Sequence, residues 1–153
     1  MCHWFTSEIL EKFSLIFSFV SLNKVDRPMN VAVVGLGRWG SQYLSLLKKS
    51  SRFKVVAAYD NDRQRLENYS KQYGFCAAAN LEDLCQNFDV DAIFVLTPTP
   101  THYDIFTKLS RYHIPVYLEK PIAGSPLFSY FKEYHIKYCL SSKNIIYLIY
   151  QKF

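Results

Sequence analysis

No arrangement of cysteine or histidine in this sequence would build a metal centre or a disulfide framework. The four cysteines, Cys2, Cys76, Cys85 and Cys139, form no CxxC pair and show neither zinc-finger nor disulfide spacing. They read as reduced thiols, consistent with a cytoplasmic chain. The histidines, His3, His102, His113 and His135, make no HExxH or HxxxH grouping, so no metal site is expected. Basic runs are missing too. The formal charge of +5 comes from 18 Lys and Arg scattered among 13 acidic residues, whereas a nucleic-acid binder gathers its cations into a patch. Nucleic acid is therefore not an expected partner. Membrane is not one either, because no apolar run reaches the ~20 residues of a span.

Phe13 to Leu22 has the apolar character of a signal-peptide core, but Glu8 and Glu11 stand where such a peptide needs positive charge. No small-x-small cleavage site follows. Residues 1–28 thus read as an added helix or as a leader upstream of a natural start at Met29, and the second reading is the expectation. The chain has 153 residues, half of them hydrophobic, enough for one full core. A single domain over residues 29–153 is expected.

From Met29 onward, short apolar runs alternate with segments of helical period, the pattern of βαβ units around a parallel sheet. The runs are Val31–Val34, Val55–Tyr59, Phe75–Ala77, Ala92–Leu96, Val116–Leu118 and Ile145–Tyr150. Their near-continuous apolar character suits strands covered on both faces. Five crossover helices are expected between them, the last on Leu127, Phe131, Tyr134 and Tyr138. Helix starts are predicted at Asn80 with Asp83, at Thr101 with Asp104, and at Ser125 before Pro126. The fold class is α/β, a doubly wound parallel sheet of six strands in the order 3-2-1-4-5-6.

Gly35-Leu36-Gly37-Arg38-Trp39-Gly40 follows the first strand and opens the first helix, the context in which GxGxxG carries meaning. Gly35 permits the tight turn, Gly37 lets the backbone approach a pyrophosphate, and Gly40 lets helix and strand pack closely. The helix start supplies N–H donors and a positive dipole end. Asp60 closes the second strand, 20 residues beyond Gly40, at the distance of the carboxylate that accepts from an adenosine ribose. Its charge would repel a 2′-phosphate, so NAD is the expected cofactor, with NADP possible. Arg63 and Arg65 follow closely and read as a solvated helix face, with partial reversal of that preference as the alternative.

Leu96-Thr97-Pro98-Thr99-Pro100-Thr101-His102 follows the fourth strand, and Glu119-Lys120-Pro121-Ile122-Ala123 follows the fifth. With the glycine turn and Asp60, these stretches make the chain resemble the Gfo/Idh/MocA family of NAD(P)-dependent sugar and polyol dehydrogenases over Met29 to Phe153. The resemblance implies that Thr97, Pro98 and Thr99 border the nicotinamide side of the cofactor. His102 is either a helix-start histidine or part of that pocket. The resemblance also implies that Glu119 orients the turn and that Lys120 is the catalytic cation, reaching the nicotinamide ribose and a substrate hydroxyl.

The sequence departs from that family at two points. No Asp-x-x-x-His follows Lys120, since Phe131 stands four positions before His135, and Arg111-Tyr112-His113-Ile114-Pro115 replaces the glycine usual before the fifth strand. The resemblance also implies an α/β substrate domain beyond the sixth strand. Without one, the chain is expected to bind cofactor and not turn over, as a truncated oxidoreductase. The alternative is a non-catalytic dinucleotide-binding module, a sensor or partner subunit. Substrate identity and oligomeric state are not legible.

Overall fold

The computed structural model describes residues 27–118 and the backbone of residues 134–141 and 144–151. The first five apolar runs are strands β1 (Met29–Val34), β2 (Phe53–Tyr59), β3 (Cys76–Ala77), β4 (Ala92–Val95) and β5 (Val116–Leu118). Helices α1 (Arg38–Lys49), α2 (Arg63–Tyr73), α3 (Leu81–Gln86) and α4 (His102–Leu109) stand between them. The five strands are all parallel, in the order β3-β2-β1-β4-β5. This is the Rossmann-type α/β architecture that the periodicity predicts.

Strand β1 shows why the runs are apolar throughout. Val31 and Val33 join the core on the side of α1 and α2, packed with Tyr43, Leu47 and Leu66. Ala32 and Val34 join the opposite core, with Leu84, Phe106 and Leu109 from α3 and α4. Each face of the strand therefore needs its own apolar set. Strand order reverses direction between β1 and β4, and the crevice at such a switch point opens at the carboxyl ends of the strands.

Local signals fix the helices. Asn80 accepts the Asp83 N–H at 2.8 Å while the Asp83 carboxylate accepts the Ala79 N–H at 2.7 Å, a reciprocal cap of the kind predicted at this start. Asp62, not singled out from sequence, caps α2 by accepting the Arg65 N–H at 3.0 Å. Thr101 makes no cap for α4. A 3-10 turn, Thr99–Thr101, precedes that helix, and the Thr101 hydroxyl bonds back to the Pro98 carbonyl at 2.7 Å. Before β5, His113 takes the left-handed conformation, φ 57°, that the absent glycine would otherwise supply.

The sixth strand requires a correction. Its residues do lie beside β5, as β7 (Asn144–Gln151), but antiparallel, with Tyr117 opposite Leu148. The stretch assigned to the end of the fifth crossover helix is instead β6 (Tyr134–Ser141), paired antiparallel with β7 at the outer edge of the sheet. The sequence contains the reason. Tyr134, Ile136, Tyr138 and Leu140 alternate with more polar neighbours, so Tyr134 and Tyr138 fit a period of two as well as a helical one. Two strands joined by a short turn must run antiparallel, whereas a parallel return needs a crossover of a dozen residues or more. Leu127 and Phe131, Ser125 with Pro126, and residues 1–26 lie outside the described residues. Arg27, within the stretch assigned to the leader, donates to the Asp91 carboxylate at 2.8 and 3.0 Å.

Candidate functional site

The turn after β1 is shaped by close approach on one side and open space on the other. Gly35 has φ +91°, donates its N–H to the Tyr59 carbonyl at 2.9 Å, and lies so near the Thr97 turn that an added Cβ would stand 2.7 Å from Thr97 Cγ2 and 2.9 Å from Thr97 N. A Cβ on Gly40 would run into the Gly35 carbonyl oxygen, so the first turn of α1 rests directly on the glycine turn. Gly37 differs. A Cβ there would meet nothing within 4 Å. No side chain caps α1, and its first turn holds no acidic residue, which leaves a positive helix end over that space.

Asp60 braces this turn from β2. Its Oδ2 accepts the Leu36 N–H at 2.6 Å, and its Oδ1 accepts the Asp62 N–H at 2.8 Å and Arg65 Nη1 at 3.3 Å. Arg65 also reaches Asp62 Oδ2 at 2.9 Å. Arg63 points elsewhere and pairs with Glu67 at 3.5 Å on the solvated face of α2.

On the far wall, the Thr97 hydroxyl lies 2.8 Å from that of Thr101, and His102 Nε2 lies 2.7 Å from the Thr97 carbonyl oxygen. With its ring only 1% exposed, His102 sits beneath the turn and steadies it. It does not line the cleft. Thr97, with two side-chain partners and the backbone of Gly35 against it, is thereby a fixed part of the wall.

Together these segments enclose a cleft of about 620 Å³ at the carboxyl ends of β1, β2 and β4. Of the residues expected to bind cofactor, Gly35, Gly37, Arg38, Trp39, Asp60, Thr97 and Pro98 line it. Leu36, Gly40, Thr99 and His102 do not line it, the first two and His102 being buried. Glu119 and Lys120 lie outside the described residues. Sequence reasoning did not single out Asp62, Leu81, Ile105 and Lys108, which also line the cleft. A signal for the last two was present, since Thr101, Asp104, Ile105 and Lys108 share one face of a helix by spacing, and that face borders the cleft. Arg38, Arg65 and Lys108 oppose Asp60, Asp62 and Asp104 along the lining, so the cleft carries both signs of charge.

The residues present fit a dinucleotide. Open space over Gly37 beside an uncapped helix start suits a diphosphate, and the carboxylate at the end of β2 suits a ribose. Among the described residues, no group of three potential metal ligands occurs and no helix is long and apolar enough to cross a membrane.

Comparison with known proteins agrees with this geometry. Residues 29–128 match the Gfo/Idh/MocA model, an oxidoreductase family with an NAD-binding Rossmann fold. Inositol 2-dehydrogenase of Arthrobacter sp. strain FB24 is 33% identical over 96 residues, 61% of this chain and 28% of that enzyme. The WlbA dehydrogenase of Chromobacterium violaceum, solved in complex with NADH and UDP-GlcNAcA, is similar with a TM-score of 0.61 at 28% identity, over 65% of this chain and 29% of that one. Myo-inositol 2-dehydrogenase of Lactobacillus plantarum gives a TM-score of 0.59 at 30% identity, over 65% and 30%. The chain spans less than a third of the length of these relatives, and residues 129–153 lie beyond the family match. By its glycine turn, its strand order and its match over residues 29–128, the chain belongs to the Gfo/Idh/MocA oxidoreductase family and carries that family's NAD-binding Rossmann fold.

Proposed function

We propose that this chain is the cofactor-holding part of an oxidoreductase that moves hydride to or from a sugar or polyol. The observation that carries the reading is the open space over Gly37 at the uncapped start of α1, in a cleft whose other wall is the rigid Thr97 turn. The N–H groups of the helix start would hold the diphosphate, with Arg38 beside them. Asp60 would accept from the adenosine ribose, and Thr97 and Pro98 would limit where the nicotinamide can lie. The bound dinucleotide would supply the hydride donor or acceptor. The sugar or polyol class is suggested by the inositol dehydrogenases among the relatives.

Lys120 is the proposed catalytic group, with Glu119 orienting it. It follows Leu118, the last residue of β5, by two positions. That strand ends on the edge where the cleft lies. As the ammonium, Lys120 would stabilise the negative charge that develops on a substrate oxygen; only as the neutral amine would it take up the hydroxyl proton. Turnover also needs substrate held against the nicotinamide and water excluded. We assign that work to the part of the relatives' length that this chain does not cover, and the expectation is that the 153 residues alone bind cofactor without turning over.

Calorimetric titration of the purified chain with NADH tests the reading. Binding is expected, Gly37→Val should abolish it without loss of fold, and no hydride transfer above background should appear with a panel of sugars and polyols. Unchanged NADH affinity in Gly37→Val would overturn the site. Robust turnover by the chain alone would overturn the division of labour.

A further inference from the structure

The sheet ends differently on its two sides. One edge is β3, with two residues, and the other is β6, with eight. Proteins blunt a sheet edge by keeping its strand short, by proline or by charge. Length alone protects β3. Strand β6 is long, contains no proline and carries one formally charged residue, Lys137. Among the described residues no strand lies on its outer side, and about half the backbone N–H and C=O groups of an antiparallel strand face away from its paired neighbour.

A second copy of the same strand fits that edge. Antiparallel pairing about a twofold axis puts one residue opposite itself and keeps Tyr134, Ile136, Tyr138 and Leu140, which alternate along β6, in one row across the join. Charge and length decide where the axis falls. With the axis at Lys137, like charges would stand directly opposite each other, which destabilises a sheet. With the axis at Ile136 only residues 134–138 of β6 find partners, and with it at Cys139 only residues 137–141. With the axis at Tyr138, residues 135–141 are all paired and Lys137 stands opposite Cys139. The short β3 edge offers no comparable ladder, so β6 does not pair head to tail with the far edge of another copy, and association closes at a dimer.

We infer that β6 is a self-complementary dimer edge, through which two copies of this chain pair antiparallel over residues 135–141 about a twofold axis at Tyr138. Strand β6 is antiparallel to β7, which is antiparallel to β5, so β6 runs in the sense of the parallel strands. The twofold reverses that sense in the second copy. The two clefts, each at the carboxyl ends of its own strands, thus open at opposite ends of the joined sheet. The inference therefore stands apart from the cofactor reading, and either can fail without the other.

Sedimentation velocity and light scattering on the full chain test it. Wild type is expected as a concentration-dependent dimer with no larger species. Tyr138→Lys and Tyr138→Glu each bring like charges together at the axis and should each weaken dimerisation by about tenfold or more. An equimolar mixture of the two should restore it, a recovery that misfolded variants could not give. Cysteine placement reads the register. Cys2, Cys76 and Cys139 are replaced by serine, while Cys85 stays, half-buried and with its thiol pushed by burial up to about 11. In that background Tyr138→Cys should give a disulfide-linked dimer under mild oxidation, because residues opposite each other on antiparallel strands have Cα atoms about 4.5–5.5 Å apart. Lys137→Cys, one position from the axis, should not. Monomeric wild type, larger assemblies, a dimer indifferent to both Tyr138 charges, or cross-linking at Lys137→Cys as strong as at Tyr138→Cys would each overturn the inference.

Discussion

Gly35 and Gly37 stand two residues apart and are glycine for opposite reasons. At Gly35 a side chain is forbidden by the protein itself, through positive φ and the backbone of Thr97. At Gly37 the protein forbids nothing, and the free space is what a ligand needs. Gly35→Ala should therefore lower stability by about 1–3 kcal/mol, the cost of holding a non-glycine residue in a strained backbone region, whereas Gly37→Val should leave the thermal midpoint nearly unchanged. Thermal and denaturant melts of the two variants check this, and equal stability would show that the Thr97 contact is soft. The GxGxxG spacing, with a strand before it and a helix after, made both positions legible. It also assigned the turn to Gly35 and the pyrophosphate approach to Gly37, but it could not show that Thr97, far away in the chain, is what crowds Gly35. Arg63 and Arg65 were inseparable for a similar reason. Only the direction of α2 relative to β2 decides which of them faces the cleft.

Among the described α-helices, α3 is the shortest, at six residues. Six residues cannot sustain a helix unaided, so the reciprocal bonds of Asn80 and Asp83 carry it. The Asp83 carboxyl is held below its ordinary range, first by the Asn87 amide and then by the Ala79 N–H. A depressed carboxyl contributes stability that is fully present above the unfolded pKa of about 3.9 and is lost as pH falls through the folded value. The stability gap between wild type and Asp83→Ala should hold constant from about pH 7 to pH 5 and close below about pH 4. A gap unchanged in strong acid would show that the carboxylate form is not what caps α3. This cap was readable because all its partners lie within a few residues. The direction of β7 was not, since Tyr134 and Tyr138 satisfy two periods at once and strand direction depends on what precedes the strand.

In the whole molecule, the binding edge is assembled from pieces that are far apart in sequence. At this edge the Leu36 N–H is held by Asp60 across 24 residues, and at the opposite, amino end of the sheet the Asn30 N–H is held by Asp91 across 61. Strand β1 pairs with both β2 and β4. Parallel pairs of this kind close long loops before contacts repay the entropy, which makes folding slow compared with helical proteins. Refolding should accordingly fall on the millisecond-to-second scale. In stopped-flow refolding with NADH present, cofactor binding should follow the phase in which β4 docks on β1, and binding that preceded it would contradict this order. The contact between Gly35 and Thr97 extends the point to synthesis. A ribosome that has delivered all of β1, α1 and β2 has made most of the phosphate cradle's residues but not its opposite wall, so competence to hold the dinucleotide arrives late and in one step.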